Sequence, residues 1–171
     1  TLLFRASRDG WDANAFHIHC DGQGPTLTVI REREHGYVFG GYADASWHSG
    51  LAFSDGLSAG RIESGGGAFL FALRCHAGLG PTRMGLTGAR NRWAMGGYRN
   101  SGFGPYFGSD GDLRLGATLG RDAGDGSRTH VGRFGVYRCP VGQDGATLLT
   151  GAGEFRASEA EVYRVETVAA R

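Results

Sequence analysis

Two adjacent glycines inside an aromatic, β-branched run constrain this chain more than any other feature. The run is Gly36-Tyr37-Val38-Phe39-Gly40-Gly41-Tyr42, followed by Trp47. Val, Phe and Tyr favour strands, whereas glycine inside a strand weakens it unless another group packs closely on the bare backbone. A fold containing this run must bring something bulky onto Gly40 and Gly41, and Trp47 is the expected cover. Upstream, Thr26 to Ile30 alternates, with Leu27 and Val29 on one face and Thr26 and Thr28 on the other. Glu34-His35-Gly36 supplies a turn between the two runs, so together they predict a hairpin.

The rest of the chain extends this pattern. Leu2 to Arg5 reads as an opening strand and Asp9-Gly10 as a turn. Asp12 is placed to cap a short helix running through Cys20, with Phe16 and Cys20 on one face. Ser46 to Gly67 is polar and glycine-rich, a long loop. Ala68 to Leu73 is apolar at every position, which predicts a central strand covered on both sides. Arg74 to Asn91 and Asn100 to Gly111 read as loops, with a strand from Trp93 to Tyr98 between them. Leu113, Leu115, Ala117 and Leu119 alternate with Arg114, Gly116 and Thr118, as in a half-buried strand. Arg121 to His130 is a connection. Phe134 and Val136 mark a further strand, and Val162 to Val168 the last. The expected class is α+β, mostly β: a two-sheet antiparallel β-sandwich with a few short flanking helices.

Composition narrows the context. A chain of 171 residues is expected to form one domain, because it buries roughly 68–70% of its unfolded surface without needing metal or disulfides. The formal net charge is +1, which gives no strong attraction to nucleic acid or anionic membrane. All 18 basic residues are arginine, alongside 32 glycines. A GC-rich coding sequence explains both, so the glycine count alone marks no special backbone. Cys20, Cys75 and Cys139 form no Cys-x-x-Cys, and an odd, sparse set fits a reducing compartment. The longest apolar stretch, Ala68 to Leu73, is far too short to span a membrane, and the residues from Thr1 onward show no charged-then-apolar pattern of a leader. The expectation is an intracellular, cytoplasmic domain spanning residues 1–171, cut from a larger protein and not inserted in a membrane.

An ordered set of residues carries a family resemblance. It comprises Ser7-Arg8-Asp9-Gly10-Trp11, Phe16, Gly24-Pro25-Thr26-Leu27, Phe39-Gly40-Gly41-Tyr42 and Trp47. Ala68 to Leu73 follows, then Gly104-Pro105-Tyr106-Phe107-Gly108 with Asp110 and Asp112-Leu113. The set closes with Leu149-Thr150-Gly151, Phe155, Glu159 and Glu161 to Val165. This order resembles the TLDc domain, found in oxidation-resistance proteins and nuclear receptor coactivator relatives. The resemblance implies two packed antiparallel sheets with a few flanking helices. It also implies protection against oxidative stress, and binding to the vacuolar proton-pumping ATPase that modulates its assembly or activity. Gly40, Gly41, Trp47, Gly104, Pro105, Phe107, Gly108, Asp110 and Glu161 are its signature positions, and no contact residues transfer from it. A rigid sandwich would present loops for binding, here Ser46 to Gly67, Arg74 to Asn91 and Asn100 to Gly111.

Several segments invite a chemical reading instead. Gly56-Leu57-Ser58-Ala59-Gly60 matches a nucleophile elbow, and Asp110, Asp112, Asp122 or Asp125 and then His130 follow in hydrolase order. That reading makes Ser58 the nucleophile and His130 the base. The motif lacks a preceding buried strand and a following helix, and glycine is common enough for chance matches. A peroxide scavenger would use one of the three cysteines as an accessible low-pKa thiolate. Buried, inert thiols are the simpler expectation. His17 and Cys20 share a helix face but do not make the four ligands zinc takes. Asp110-Gly111-Asp112 and Asp122 to Gly126 lack the EF-hand spacing, and turn chemistry explains them. Gly104 to Gly108 could cradle an anion with its backbone amides, but the simpler reading is a segment that plugs Phe107 into the core. Glu154, Glu159 and Glu161 could do acid–base work, or simply charge a strand edge. The sequence leads to a non-catalytic interaction domain without cofactor or metal; the alternative is a small enzyme using Ser58 or a cysteine.

Overall fold

The computed structural model describes residues 1–49, 61–88, 93–96, 102–109 and 111–166. The chain opens with β1 (Leu2–Arg5), the single turn α1 (Ala6–Asp9) and α2 (Ala13–Cys20). It continues through β2 (Thr26–Glu32), β3 (Val38–Ala43), β4 (Arg61–Ile62), β5 (Phe69–Arg74), β6 (Thr82–Gly85) and β7 (Met95–Gly96). It closes with β8 (Tyr106–Phe107), β9 (Leu113–Arg114), β10 (Arg128–Thr129) and β11 (Ala157–Arg164). Six strands make a large sheet in the order β1-β11-β2-β3-β5-β6, and five short ones a second sheet in the order β10-β9-β8-β7-β4. All the strand pairs are antiparallel. This is the mostly β, two-sheet architecture with short helices that the sequence leads one to expect.

Local chemistry explains the first elements. The Asp12 carboxylate accepts the Ala15 N–H at 2.8 Å and so caps α2. Phe16 and Cys20 on that helix are fully buried. Phe16 meets Phe4 and Trp47 edge-on, with ring centroids 6.2 and 5.7 Å apart. The β2–β3 hairpin runs in register from Thr26↔Ala43 to Arg31↔Val38. Its turn is held by the buried Glu32 carboxylate, which accepts the N–H groups of Glu34 and His35 at 2.5 and 2.7 Å. Strands β1 and β11 are neighbours, and Thr1 and Arg164 exchange hydrogen bonds at their outer ends, the Thr1 ammonium donating at 3.1 Å and the Arg164 N–H at 2.8 Å.

Gly40 and Gly41 are both covered, but not by Trp47. A Cβ on Gly41 would lie 2.6–2.8 Å from the Phe107 ring, and one on Gly40 would meet the Phe71 ring and the Thr28 carbonyl. Trp47 stands behind Phe107, ring centroids 5.3 Å apart, and its indole N–H donates to Thr26 Oγ1 at 2.9 Å. Phe107 lies on β8 in the small sheet and Gly41 on β3 in the large one, so this contact joins the two layers. Across the small sheet Ile62, Met95, Phe107, Leu113 and Thr129 are register neighbours, and all are buried.

Other elements depart from expectation. β5 lies one strand from the edge of the large sheet, not at its centre. Leu70 and Ala72 are buried, Phe69 and Phe71 half-buried, and Leu73 exposed. The uniform apolarity therefore serves a core face and a partly open outer face. Arg74 to Asn91 is not all loop, since β6 pairs with β5 and only Met84 of its residues turns fully inward. The alternation from Leu113 to Leu119 yields a strand of two residues, because the chain turns afterwards; Leu119 adopts φ +51° and Gly120 φ +82°. Leu115 and Leu119 still reach the core from that turn, whereas Ala117 is exposed. Phe134 and Val136 form no strand; Tyr137 alone bridges to Leu86. The last strand starts at Ala157, ahead of the predicted Val162, and lies between β1 and β2. Only Met95–Gly96 of the predicted Trp93–Tyr98 strand falls within the described residues as a strand, and Tyr98 and Val168 lie outside them.

Two tests follow from this packing. Gly41→Ala keeps an ordinary backbone but pushes a methyl into Phe107, so it should cost about 1–3 kcal/mol. Urea unfolding should show a lower midpoint with an unchanged slope. The second concerns Asp9, whose carboxylate accepts from the Arg8 guanidinium at 2.7 Å and from the Arg5 N–H at 2.8 Å. Chiefly through the bond to Arg8, its pKa falls from 3.8 to about 2. A depressed carboxyl contributes stability that is present above its unfolded pKa and is lost as pH falls through the folded one. Asp9→Asn should therefore lower the thermal midpoint at pH 6, and the difference from the parent should shrink between pH 3.8 and about 2.

Candidate functional site

The family-signature positions fall mainly in the core. Gly40, Gly41, Trp47, Gly104, Pro105, Phe107 and Gly108 are buried. Gly104 lies against Leu119 and Leu115, and Gly108, at φ +85°, against Asp112. Glu161 stands on β11, where it accepts from Arg5 Nε and from the Tyr163 hydroxyl, each at 2.6 Å. The bond to this carboxylate pushes the Tyr163 phenol up. Asp110 lies outside the described residues. The described ones among these positions build the sandwich.

The chemical alternatives fare differently. Ser58 and its flanking motif lie outside the described residues. His130 follows β10, with its backbone N–H donated to the Asp112 carbonyl at 2.9 Å. Cys20 is fully buried and Cys75 nearly so. Burial pushes the Cys20 thiol far above its ordinary value, with Asp21 adding to the shift. Cys139 is half-buried, and burial also raises its thiol. Raised thiols are poor peroxide nucleophiles. The His17 nitrogens face Asp21 Oδ1 at 2.8 Å and the Phe103 carbonyl at 3.0 Å. Among the described residues no three His, Cys, Asp or Glu side chains are grouped to hold a metal ion. Asp125 is a loop staple: one oxygen accepts the N–H groups of Thr118 and Gly120, the other that of Ser127. Glu159 accepts from the Ser7 N–H and hydroxyl.

Two concavities were not foreseen from the sequence. One is a cleft of about 430 Å³ lined by Glu32, Glu34, His35, His76, Glu154 and Arg156. Most of its polar groups are already engaged. Arg156 pairs with Glu34 at 2.6 Å, which lowers the Glu34 carboxyl, and Glu32 holds the hairpin turn. His35 stacks on Tyr37 at 5.1 Å.

The other is a groove of about 390 Å³ on the outer face of the large sheet. Leu27, Val29, Phe69, Phe71, Leu73 and Arg83 line it. β2 turns Thr26, Thr28, Ile30 and Glu32 inward and leaves Leu27 and Val29 on this outer face. Leu73 is 53% exposed. The Arg83 guanidinium lies over the Phe69 ring, 4.4 Å from its centroid, and Arg83 forms no ion pair among the described residues. Two signals for this groove were present: the apolar half of the Thr26–Ile30 alternation, and the second apolar face of Ala68–Leu73. A thiol count checks the burial argument. The folded chain should yield at most Cys139 to an aromatic disulfide reagent, and all three thiols only in denaturant; rapid reaction of Cys20 or Cys75 in the folded state would contradict it.

The comparisons with known proteins bear on the whole sandwich. The family model for the TLDc domain matches residues 1–166. A stretch of 46 residues, 27% of this chain, is 44% identical to MTOR-associated protein MEAK7 of Mus musculus and covers 10% of that protein. No helix among the described residues is long and apolar enough to cross a membrane. With the signature glycines, Trp47 and Phe107 packed at the centre of two sheets and the family match running almost end to end, the chain belongs to the TLDc domain family.

Proposed function

We propose that this chain acts as a non-catalytic interaction domain in the cytoplasm, that it serves resistance to oxidative stress, and that it binds the vacuolar proton-pumping ATPase and regulates its assembly or activity. The observation that carries this reading is the TLDc match across residues 1–166. The pump and the stress role are what the family resemblance implies. The half-exposed apolar groove on the large sheet supports a binding role, because contiguous apolar surface on a folded domain marks interaction sites. Burial of Cys20 and Cys75 and the raised thiol of Cys139 weigh against direct peroxide scavenging. The likeness to the mouse MTOR-associated protein adds mTOR-associated assemblies to the partners to be probed.

A pull-down of the folded domain against membranes and cytosol from the source cells tests the reading. Enrichment of stalk or catalytic-head subunits of the proton pump over a bead control is the expected result. Failure to enrich any pump subunit, assembled or dissociated, would remove the pump as partner. Ser58→Ala and Cys→Ser variants assayed for ester and peroxide turnover should match the parent; loss of a measurable turnover in one of them would restore the enzyme alternative.

A further inference from the structure

We propose that the outer-face groove of the large sheet is the seat of an amphipathic α-helix from a protein partner, one that carries a carboxylate beside its apolar stripe and places it on Arg83. The proposal rests on the interaction reading above and specifies the surface and the occupant.

The shape comes from register. Gly40 stands opposite Val29 on β2 and Phe71 on β5. With no side chain of its own Gly40 leaves the middle strand low at that rung, where the Phe71 ring lies across it, while Tyr42, between Leu27 and Phe69, packs on the Phe69 ring at 5.2 Å and closes one end. Leu27 and Val29 form one bank, and Phe69, Leu73 and Arg83 the other. The apolar banks on β2 and β5 are two inter-strand steps apart, roughly 10 Å at about 4.8 Å each, and Arg83 on β6 adds a third step, roughly 14 Å in all. That width takes an α-helix with its side chains, about 10–12 Å across. Helices dock into such grooves through apolar anchors at i, i+3 or i+4, and i+7.

A partner strand fits less well. The neighbouring edge of β6 is already occupied at its far end, where the Arg138 N–H donates to the Gly85 carbonyl at 2.9 Å and Leu86 bridges to Tyr137. Addition by strand pairing would have to displace that segment, whereas a helix on the face leaves it intact.

Charge selects the helix. Arg83 is exposed at the rim, with its guanidinium over the Phe69 ring, 4.4 Å from the centroid, and no acidic partner among the described residues. A ring-stacked guanidinium keeps its N–H edge available for a carboxylate, so an Asp or Glu flanking the apolar stripe completes the contact. A basic helix meets repulsion at the same place.

The experiment uses the full chain and two fluorescein-labelled peptides of about five helical turns, one with a leucine stripe flanked by glutamates and its twin with lysines. Fluorescence anisotropy should show saturable binding of the glutamate peptide, with the lysine twin about tenfold weaker or more. Arg83→Glu should reverse that order, and Leu73→Asp should weaken binding about tenfold or more. Both positions are exposed, and unchanged thermal midpoints would show that the variants fold. Amide shift changes on peptide addition should centre on Leu27, Val29, Phe69, Phe71 and Leu73. Absence of saturable binding, or binding indifferent to both substitutions, overturns the proposal. So does self-association in sedimentation that Leu73→Asp abolishes, since it would give the face to a second copy. Repeating the pump pull-down with Leu73→Asp separates the two readings. Peptide binding without pump capture defeats the pump reading alone. Pump capture that Leu73→Asp leaves unchanged defeats the groove as its docking site.

Discussion

Phe107 against Gly41 is the contact on which the two-layer structure depends. Among the described residues each strand of the small sheet is two residues long, and ribbons that short have little stability of their own. They are held because Phe107 drops into the space that a glycine leaves on β3. Around it, Trp47 closes one side and Tyr137 stands at 6.5 Å, each near-perpendicular to the ring. Both outer rings are tied down by their polar ends, Trp47 to Thr26 Oγ1 and the Tyr137 hydroxyl to the Ala94 carbonyl at 2.7 Å. The geometry combines edge-on aromatic packing with satisfied buried donors, which is how large aromatics occupy a core without a polar penalty.

Between the sheets the chain is mostly loop, and short acidic side chains give those loops shape. Asp44 accepts from the Ser64 hydroxyl and the Gly67 N–H, each at 2.8 Å. Asp112 receives the Gly132 N–H at 2.6 Å, Asp21 the Ser49 N–H at 2.7 Å, and Asp144 the Ala146 N–H at 2.9 Å. Together with the Asp12 cap and the Asp125 staple, these bonds supply partners for backbone donors that strands and helices would otherwise engage. A chain rich in glycine and poor in regular structure can hold one shape in this way.

The elements legible in the sequence are those governed by local rules. The β2–β3 hairpin, the Asp12-capped helix and the need to cover paired glycines follow from alternation, capping and backbone bareness. What covers the glycines is a long-range fact, and proximity in sequence pointed to Trp47 where tertiary packing supplies Phe107 and Phe71. The strands of the small sheet are too short to generate a period, so Leu113–Leu119 reads as one strand although Leu115 and Leu119 reach the core from the turn that follows β9. Glu159 and Ala157 are separated by a bulge in β11, which breaks the alternation and hides the strand's true start. Sequence apolarity also cannot tell a face buried in the core from one left for a partner. For that reason Ala68–Leu73 reads as a strand covered on both sides, while the structure turns Phe69, Phe71 and Leu73 to the outer groove beside Leu27.

Strands β1 and β11 lie side by side with Thr1 and Arg164 bonded at the same end. Any tether pulling on those two ends meets hydrogen bonds that run perpendicular to the strands, and it loads them one after another instead of all together. Mechanically this is a zipper, which yields at low force. Tension would peel β1 first, unpairing Phe4 from Val162, while the Phe107 wedge deeper in the sandwich bears none of the load. A pull of that kind is taken up at the β1–β11 pairing before it reaches the interface between the sheets.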